Sequence, residues 1–236
     1  MMFGRGNQGG KGSKDQSFPQ PTEAPRGEEA LLIARSRRGE TAAFNQLILL
    51  HQQAVYTLSY RMLGNPDNAA DVTQEALLSA FRAIASFRGG SFRSWLLRIA
   101  SNACFDYWRR SRRHPGDSLE ALTGQSEGHD EGLAQQFAAD DRWDPETLAV
   151  RSELQALIQA GLMHLPPEQR LAVILSDIQG LAYEEIASTT GVSLGTVKSR
   201  IARGRAQLRG YLQQHAELLP RTYRLKEEKG REPLEP

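Results

Sequence analysis

Apolar positions in residues 28–113 recur every three or four places, as in Leu47, Leu50, Ala54 and Leu58, and again in Leu77, Phe81 and Ile84. That spacing is the period of an amphipathic α-helix, and no stretch alternates apolar and polar residues as a half-buried strand would. The period returns over 148–214: in VRSELQALIQAGLMHL, in EQRLAVILSDI behind Pro166 and Pro167, and in two further segments after Gly180. Pro suits the first turn of a helix and Gly ends one, so both mark boundaries here. Between these blocks, residues 114–147 lose the period and carry nine acidic residues against the single basic residue Arg142. With scattered Gly and Pro, that composition predicts a flexible acidic linker. Residues 1–27, rich in Gly, Gln, Pro and Ser, hold too little apolar surface to offset the entropy of ordering and are expected to form a disordered tail. Residues 215–236 are charged and punctuated by Pro, and are expected to be a mobile C-terminal tail. The expected fold is all-α: two small helical domains, 28–113 and 148–214, joined by the acidic linker, with no internal repeat.

Composition agrees with two small cores. Only 39% of the 236 residues are hydrophobic and 7% aromatic, lean for one core of that length. Lys+Arg 29 against Asp+Glu 28 nearly cancel, a balance that conceals local runs of charge. The lone Cys104 makes neither an internal disulfide nor a Cys-based zinc site, which points to a reducing, cytoplasmic setting. No apolar run follows the start MMFGRGNQGGKGSKDQSFPQP, and no 18 consecutive apolar residues occur, so neither export nor membrane insertion is expected. The five histidines, at 51, 114, 129, 164 and 215, are scattered along the chain, so no metal site is expected. The glycine run FGRGNQGGKGS neither follows a strand nor opens a helix, which disqualifies it as a phosphate cradle. Neither a cofactor nor an enzymatic activity is expected.

The most specific signal is LAYEEIASTTGVSLGTVKSRIARGRAQLR, two helical patterns around a tight turn, with Ala187 on the first and Gly191 four residues on. Ala permits close approach of the second helix, Gly accepts the left-handed conformation that ends the first, and Ser193 is placed to cap the second. On a helical wheel Leu194, Val197, Ile201 and Leu208 share one face, while Thr196, Ser199, Arg200, Arg203 and Gln207 share the other. Lys198 and Arg205 flank the seam, where they could reach phosphates. From Ser193 to Arg209 there are five basic residues and no acid, an electrostatic footprint for DNA. The segment is therefore a helix-turn-helix.

In the first domain, Asn65-Pro66-Asp67 begins a helix on which Asp71, Gln74, Glu75 and Leu78 line one face, with Ala69, Ala76, Ala80 and Ile84 opposite. An apolar residue ringed by acids and an amide is an anchor for a partner protein. After the Gly89–Gly90 turn, SFRSWLLRIASNACFDYWRRSRR carries apolar stripes on two sides. Arg98, Asn102, Arg109 and Arg113 project between them, a ridge that suits nucleic acid. Trp95 and Trp108 are read as core.

The stretches FNQLILLHQQAVYTLSYRMLGNPDNAADVTQEALLSAFRAI, FRGGSFRSWLLRIASNACFDYWRRSRR and LPPEQRLAVILSDIQGLAYEEIASTTGVSLGTVKSRIARGRAQL, in this order, resemble bacterial RNA polymerase sigma factors of the extracytoplasmic-function (ECF) group. The resemblance implies that 28–113 is sigma domain 2, binding core RNA polymerase and the promoter −10 element, and that 148–214 is sigma domain 4, reading the −35 element. Carried over residue by residue, it implies that Asp71, Gln74, Glu75 and Leu78 contact the polymerase. Phe87, Arg88 and Ser91, in the loop that captures a flipped base, are implied at −10 DNA together with Arg98, Asn102, Arg109 and Arg110. Thr196, Lys198, Ser199, Arg200 and Arg203 are implied at −35 DNA. The implied partners are core RNA polymerase, promoter DNA and an anti-sigma factor. A stand-alone helix-turn-helix regulator is the alternative, and it leaves the Asp71/Gln74/Glu75 face without a purpose.

Overall fold

Helix boundaries fall where backbone chemistry permits them. In the computed structural model, which describes residues 26–113 and 145–218, α1 (Arg26–Arg37) ends at a turn through Gly39 at φ 90°. α2 (Thr41–Leu63) closes on Gly64, whose left-handed backbone (φ 78°) lets its N–H donate to the Tyr60 carbonyl at 2.8 Å. The next residue caps α3 (Pro66–Ala83): Asn65 Oδ1 accepts the Asn68 N–H at 2.9 Å, and Pro66 takes the first turn, where no N–H is needed. A 3₁₀ turn, Ile84–Ser86, and the Gly89–Gly90 turn lead into α4 (Phe92–Arg113).

The second group comprises α5 (Pro145–Met163), α6 (Pro167–Val173), α7 (Tyr183–Thr190) and α8 (Leu194–Gln214), followed by a 3₁₀ turn, Ala216–Leu218. α6 does not continue as α-helix through ILSDI; Ile174–Ile178 is a π-turn. The described residues contain no strand, and the all-α expectation holds. α8 runs beyond the basic stretch that closes at Arg209, to Gln214. The expected acidic linker and tails lie largely outside the described residues.

α2, α3 and α4 pack mutually, with α1 along α2. Their core contains Leu47, Leu58, Met62, Phe92, Leu96 and Leu97, all fully buried, each burial contributing roughly 1.5–3 kcal/mol. Leu50, read as part of the core stripe, is 39% exposed, and Phe81 is 41% exposed. At about 100° per residue, the face of α2 that meets the core is centred on Phe44, Leu58 and Met62, leaving Leu50 on its flank. Cys104 is fully enclosed, and burial pushes its thiol up to about 12.

In the second group α8 crosses α5, α6 and α7 over Leu162, Ile174, Leu175, Ile186 and Ile201. Gly204 allows that approach: a Cβ there would stand 2.7 Å from Val173 Cγ2 and 3.3 Å from the Gln169 carbonyl oxygen. The two groups also touch each other. α7 packs on α4, α5 and the π-turn pack on α2, and one cluster of buried residues runs from Leu32 to Ile201.

Candidate nucleic-acid and protein interfaces

The α7–α8 turn is built as its sequence requires. Gly191 sits at φ 69° and donates to the Ala187 carbonyl at 2.9 Å. Ser193 Oγ accepts the Thr196 N–H at 3.2 Å and shares a 2.9 Å hydrogen bond with the Thr196 hydroxyl. Glu185 Oε2 accepts the Ala182 N–H at 3.1 Å, closing the start of α7. Val197 and Ile201 are buried, which turns Lys198 and Arg203 outward with Thr196, Ser199 and Arg200 half-buried beside them. The five expected −35 readers therefore emerge from the first three turns of one helix. Arg205 differs from expectation: it is paired with Asp177 of the π-turn, Nε to Oδ2 at 2.9 Å, and this carboxylate raises its pKa. It braces its own domain instead of reaching for phosphate.

On α3, Asp71, Gln74, Glu75 and Leu78 are all exposed, Leu78 by 49%. Beside them α2 and α3 enclose a cleft of about 440 Å³ lined by Phe44, Asn45, Ile48, Leu77 and Phe81 among others. Phe44 and Phe81 meet edge to face, centroids 5.1 Å apart. The Thr73 hydroxyl is buried at the wall of this cleft with no hydrogen-bond partner. The sequence reading found one wall of this cleft, α3. The α2 wall was signalled only by Phe44 and Ile48 at i, i+4, a spacing that a core stripe shares. Arg110 of α4 donates to both Glu75 oxygens, at 3.2 and 2.7 Å, and this hydrogen-bonded cation holds the carboxyl below its ordinary range. A residue expected at the polymerase and a residue expected at −10 DNA are thus one ion pair.

Along α4, Arg98, Asn102 and Arg109 are exposed, and Arg109 pairs with Asp106 one turn back. Ser91 Oγ accepts the Ser94 N–H at 3.1 Å at the start of the helix. Ahead of it Arg88, Gly89 and Gly90 project, and a Cβ on either glycine would meet nothing within 4 Å. Phe87 departs from its expected role: it is 4% exposed, its ring 5.6 Å from that of Phe92 and 5.3 Å from that of Trp95. It anchors the base of the turn, which leaves Arg88 and Ser91 as the exposed residues of the three expected there. Trp95 and Trp108 are half-buried, and the Arg170 guanidinium lies 5.2 Å from the Trp108 ring. Among the described residues no group of three or more His, Cys, Asp or Glu could hold a metal ion, and no helix is long and apolar enough to cross a membrane.

Residues 47–114 match the family model Sigma-70 region 2, and residues 155–208 match Sigma-70, region 4. The chain is 41% identical over 202 residues to the ECF RNA polymerase sigma factor SigE of Mycolicibacterium smegmatis, covering 86% of this chain and 74% of that one. The chain belongs to the ECF RNA polymerase sigma factors. It is also similar to the ECF RNA polymerase sigma-E factor of Escherichia coli K12, 36% identical over 75% of this chain and 90% of the relative. Among solved structures, CnrH in complex with the cytosolic domain of CnrY aligns over 78% of this chain and 97% of its own, with TM-score 0.54 and 26% identity. The sigma factor RpoE in complex with the anti-sigma factor NepR, from Bartonella quintana, aligns over 72% and 96%, with TM-score 0.52 and 25% identity. As a sigma factor the chain is a DNA-binding factor of transcription initiation and not an enzyme. The region 2 match spans most of α2 with α3 and α4, and the region 4 match spans the helix-turn-helix.

Proposed function

We propose that this sigma factor docks on core RNA polymerase through Asp71, Gln74, Glu75 and Leu78 of α3, and directs recognition and melting of a two-part promoter. Residues 28–113 and 148–214 are the two working domains in this reading, with 114–147 the linker between them. The observation that supports it best is the exposed Leu78, ringed by polar and acidic groups and opening on the α2–α3 cleft. An apolar anchor in a charged rim is the anatomy of a protein-docking surface. The −10 element is met by Arg88, Ser91, Arg98, Asn102 and Arg109 around the start and ridge of α4. Extruding a base costs a few kcal/mol, which cationic and polar groups at that end offset. The −35 element is read in the major groove by Thr196, Lys198, Ser199, Arg200 and Arg203 on α8. An anti-sigma factor is a further partner, by likeness to the RpoE–NepR complex, and the protein works in the cytoplasm.

Run-off transcription with core polymerase on a random promoter library tests this directly. Transcripts should come from templates sharing two separated elements, and the chain should co-elute with core polymerase. Specific duplex binding by the chain alone, without co-elution, would return the reading to a stand-alone regulator.

A further inference from the structure

One cation of α8 is built into its own domain. Arg205 follows Lys198 by seven residues, which at about 100° and 1.5 Å per residue puts both on one flank, roughly 20° apart in direction and about 10 Å apart along the axis. Lys198 is exposed, and no described residue pairs with it. Arg205 is held by the π-turn: Nε donates to Asp177 Oδ2 at 2.9 Å, and Nη2 donates both to Asp177 Oδ1 and to Ser176 Oγ, the latter at 3.3 Å. Tyr183, the first residue of α7, adds a side-chain contact to the same guanidinium. A two-point pairing fixes direction as well as distance. Asp177 cannot follow Arg205 elsewhere, because its turn is anchored by buried Ile174 and Leu175, whose carbonyls accept from the Gln179 and Leu181 N–H groups at 2.9 Å each.

We infer that Asp177 is a positioning residue that sets −35 discrimination: it keeps Arg205 off the DNA backbone and holds α8 at the angle from which Thr196, Ser199, Arg200 and Arg203 meet base edges. The inference rests on the −35 reading of α8 proposed above. Phosphates are alike at every base pair, so a cation that reaches one attracts all sequences and reports nothing about the bases. Non-cognate DNA gains most from such a cation. There no base contact fixes the helix, and α8 is free to roll towards the nearest phosphate. On the cognate element the base contacts already set that roll.

Fold stability does not account for the pair. Its side chains are 47% and 32% exposed, and ion pairs so open to water contribute little to folding. The position of the acid is also telling. Between Ser193 and Arg209 α8 itself carries no acid. A carboxylate within that stretch would repel phosphate along the whole reading face, whereas one on the π-turn removes a single flanking cation and leaves Lys198, Arg200 and Arg203 as they are.

Asp177→Asn in polymerase holoenzyme tests the inference, on two promoter fragments that differ only in carrying a selected or a scrambled −35 element. Asn keeps the size of the side chain and removes its charge, which releases Arg205. Affinity for the scrambled fragment should rise about three-fold or more and its dependence of log affinity on log salt should steepen by about 0.9, the mark of one added phosphate contact. Affinity for the selected fragment should stay within about two-fold of wild type, so discrimination falls. Adding Arg205→Gln to Asp177→Asn should return the scrambled affinity and the salt slope to wild type, and Asp177→Glu, which keeps the pair, should behave as wild type throughout. Unchanged discrimination and slope in Asp177→Asn would overturn the inference. Weaker binding to both fragments at an unchanged slope would also overturn it, leaving Asp177 a structural brace alone. A wild-type holoenzyme that does not distinguish the two fragments would overturn the −35 reading beneath the inference, and the inference with it.

Discussion

α4 and α8 are helices of similar length, 22 and 21 residues, and both are rich in arginine, yet they hold their charges in opposite ways. On α8 the burial is one-sided, through Val197, Ile201 and Gly204, and Lys198, Arg200 and Arg203 stand on the open side. Arg205 is tied to Asp177. α4 is enclosed through Phe92, Leu96, Leu97, Ala100 and Cys104, and three of its six arginines are engaged: Arg93 with Gln179, Arg109 with Asp106, Arg110 with Glu75. A count of basic residues therefore measures positive surface well on α8 and poorly on α4. Those three α4 arginines are positioned groups, oriented by partners before any nucleic acid arrives.

Asp71→Lys with Glu75→Lys tests the tied helix most severely. It reverses the α3 face and sets a lysine against Arg110, so binding to core polymerase should fall to background while helical content is retained. Co-elution with core polymerase at the wild-type level would end the assignment of that face.

The difference in enclosure predicts a difference in stability. Leu97 is 0% exposed on α4, and Leu97→Ala should cost about 2–5 kcal/mol. Leu208 on α8 is half-buried, and Leu208→Ala should cost roughly half as much. Urea unfolding of the two variants measures both, and equal costs would show that α4 is no more enclosed than α8.

On the open helix, Arg200→Ala or Arg203→Ala should weaken −35 recognition by about 1–3 kcal/mol and relax discrimination at one base pair. Lys198→Ala should weaken binding evenly across sequences. Competition binding of polymerase holoenzyme to promoter point mutants separates the two patterns. A promoter response unchanged by Arg200→Ala would remove its base-reading role.

The smallest effect is electrostatic. Arg110 lowers the Glu75 carboxyl pKa, so the stabilisation from this pair is present above the ordinary carboxylate range and is lost as pH falls through the lowered value. Arg110→Ala should move the Glu75 titration, followed by carboxyl ¹³C NMR, back up towards that range. An unmoved titration would show that the pair does not persist in solution.

Much of this arrangement was legible in the sequence because it is local. Asn65-Pro66 and Gly191 with Ser193 act on their own neighbours within four residues, so they announce α3 and the helix-turn-helix without reference to anything distant. The exposed α3 face was legible for the same reason. What stayed hidden depends on pairs far apart in the chain. Phe87 reads as a loop residue until Phe92 and Trp95 are seen to enclose it. Arg110 and Glu75 are 35 residues apart and each reads as a binding residue alone. The α2 wall of the cleft and the contact between the two domains required the tertiary packing itself.

The π-turn at Ile174–Ile178 has a further consequence, for the phasing of the chain. A π-turn accommodates one residue more than the α-helix it interrupts. The wider turn absorbs that residue, so the helix keeps its phase across it, whereas deleting a residue from the regular turns of α6 would swing all that follows by about 100° about its axis. Asp177 would lose its line to Arg205, and Gln179 its line to Ala54 and Arg93. The bearing of α8 relative to the rest of the molecule is thus set, like the hand of a clock, by the residue count through α6, at a point that touches neither the proposed polymerase-facing nor the proposed DNA-facing side chains.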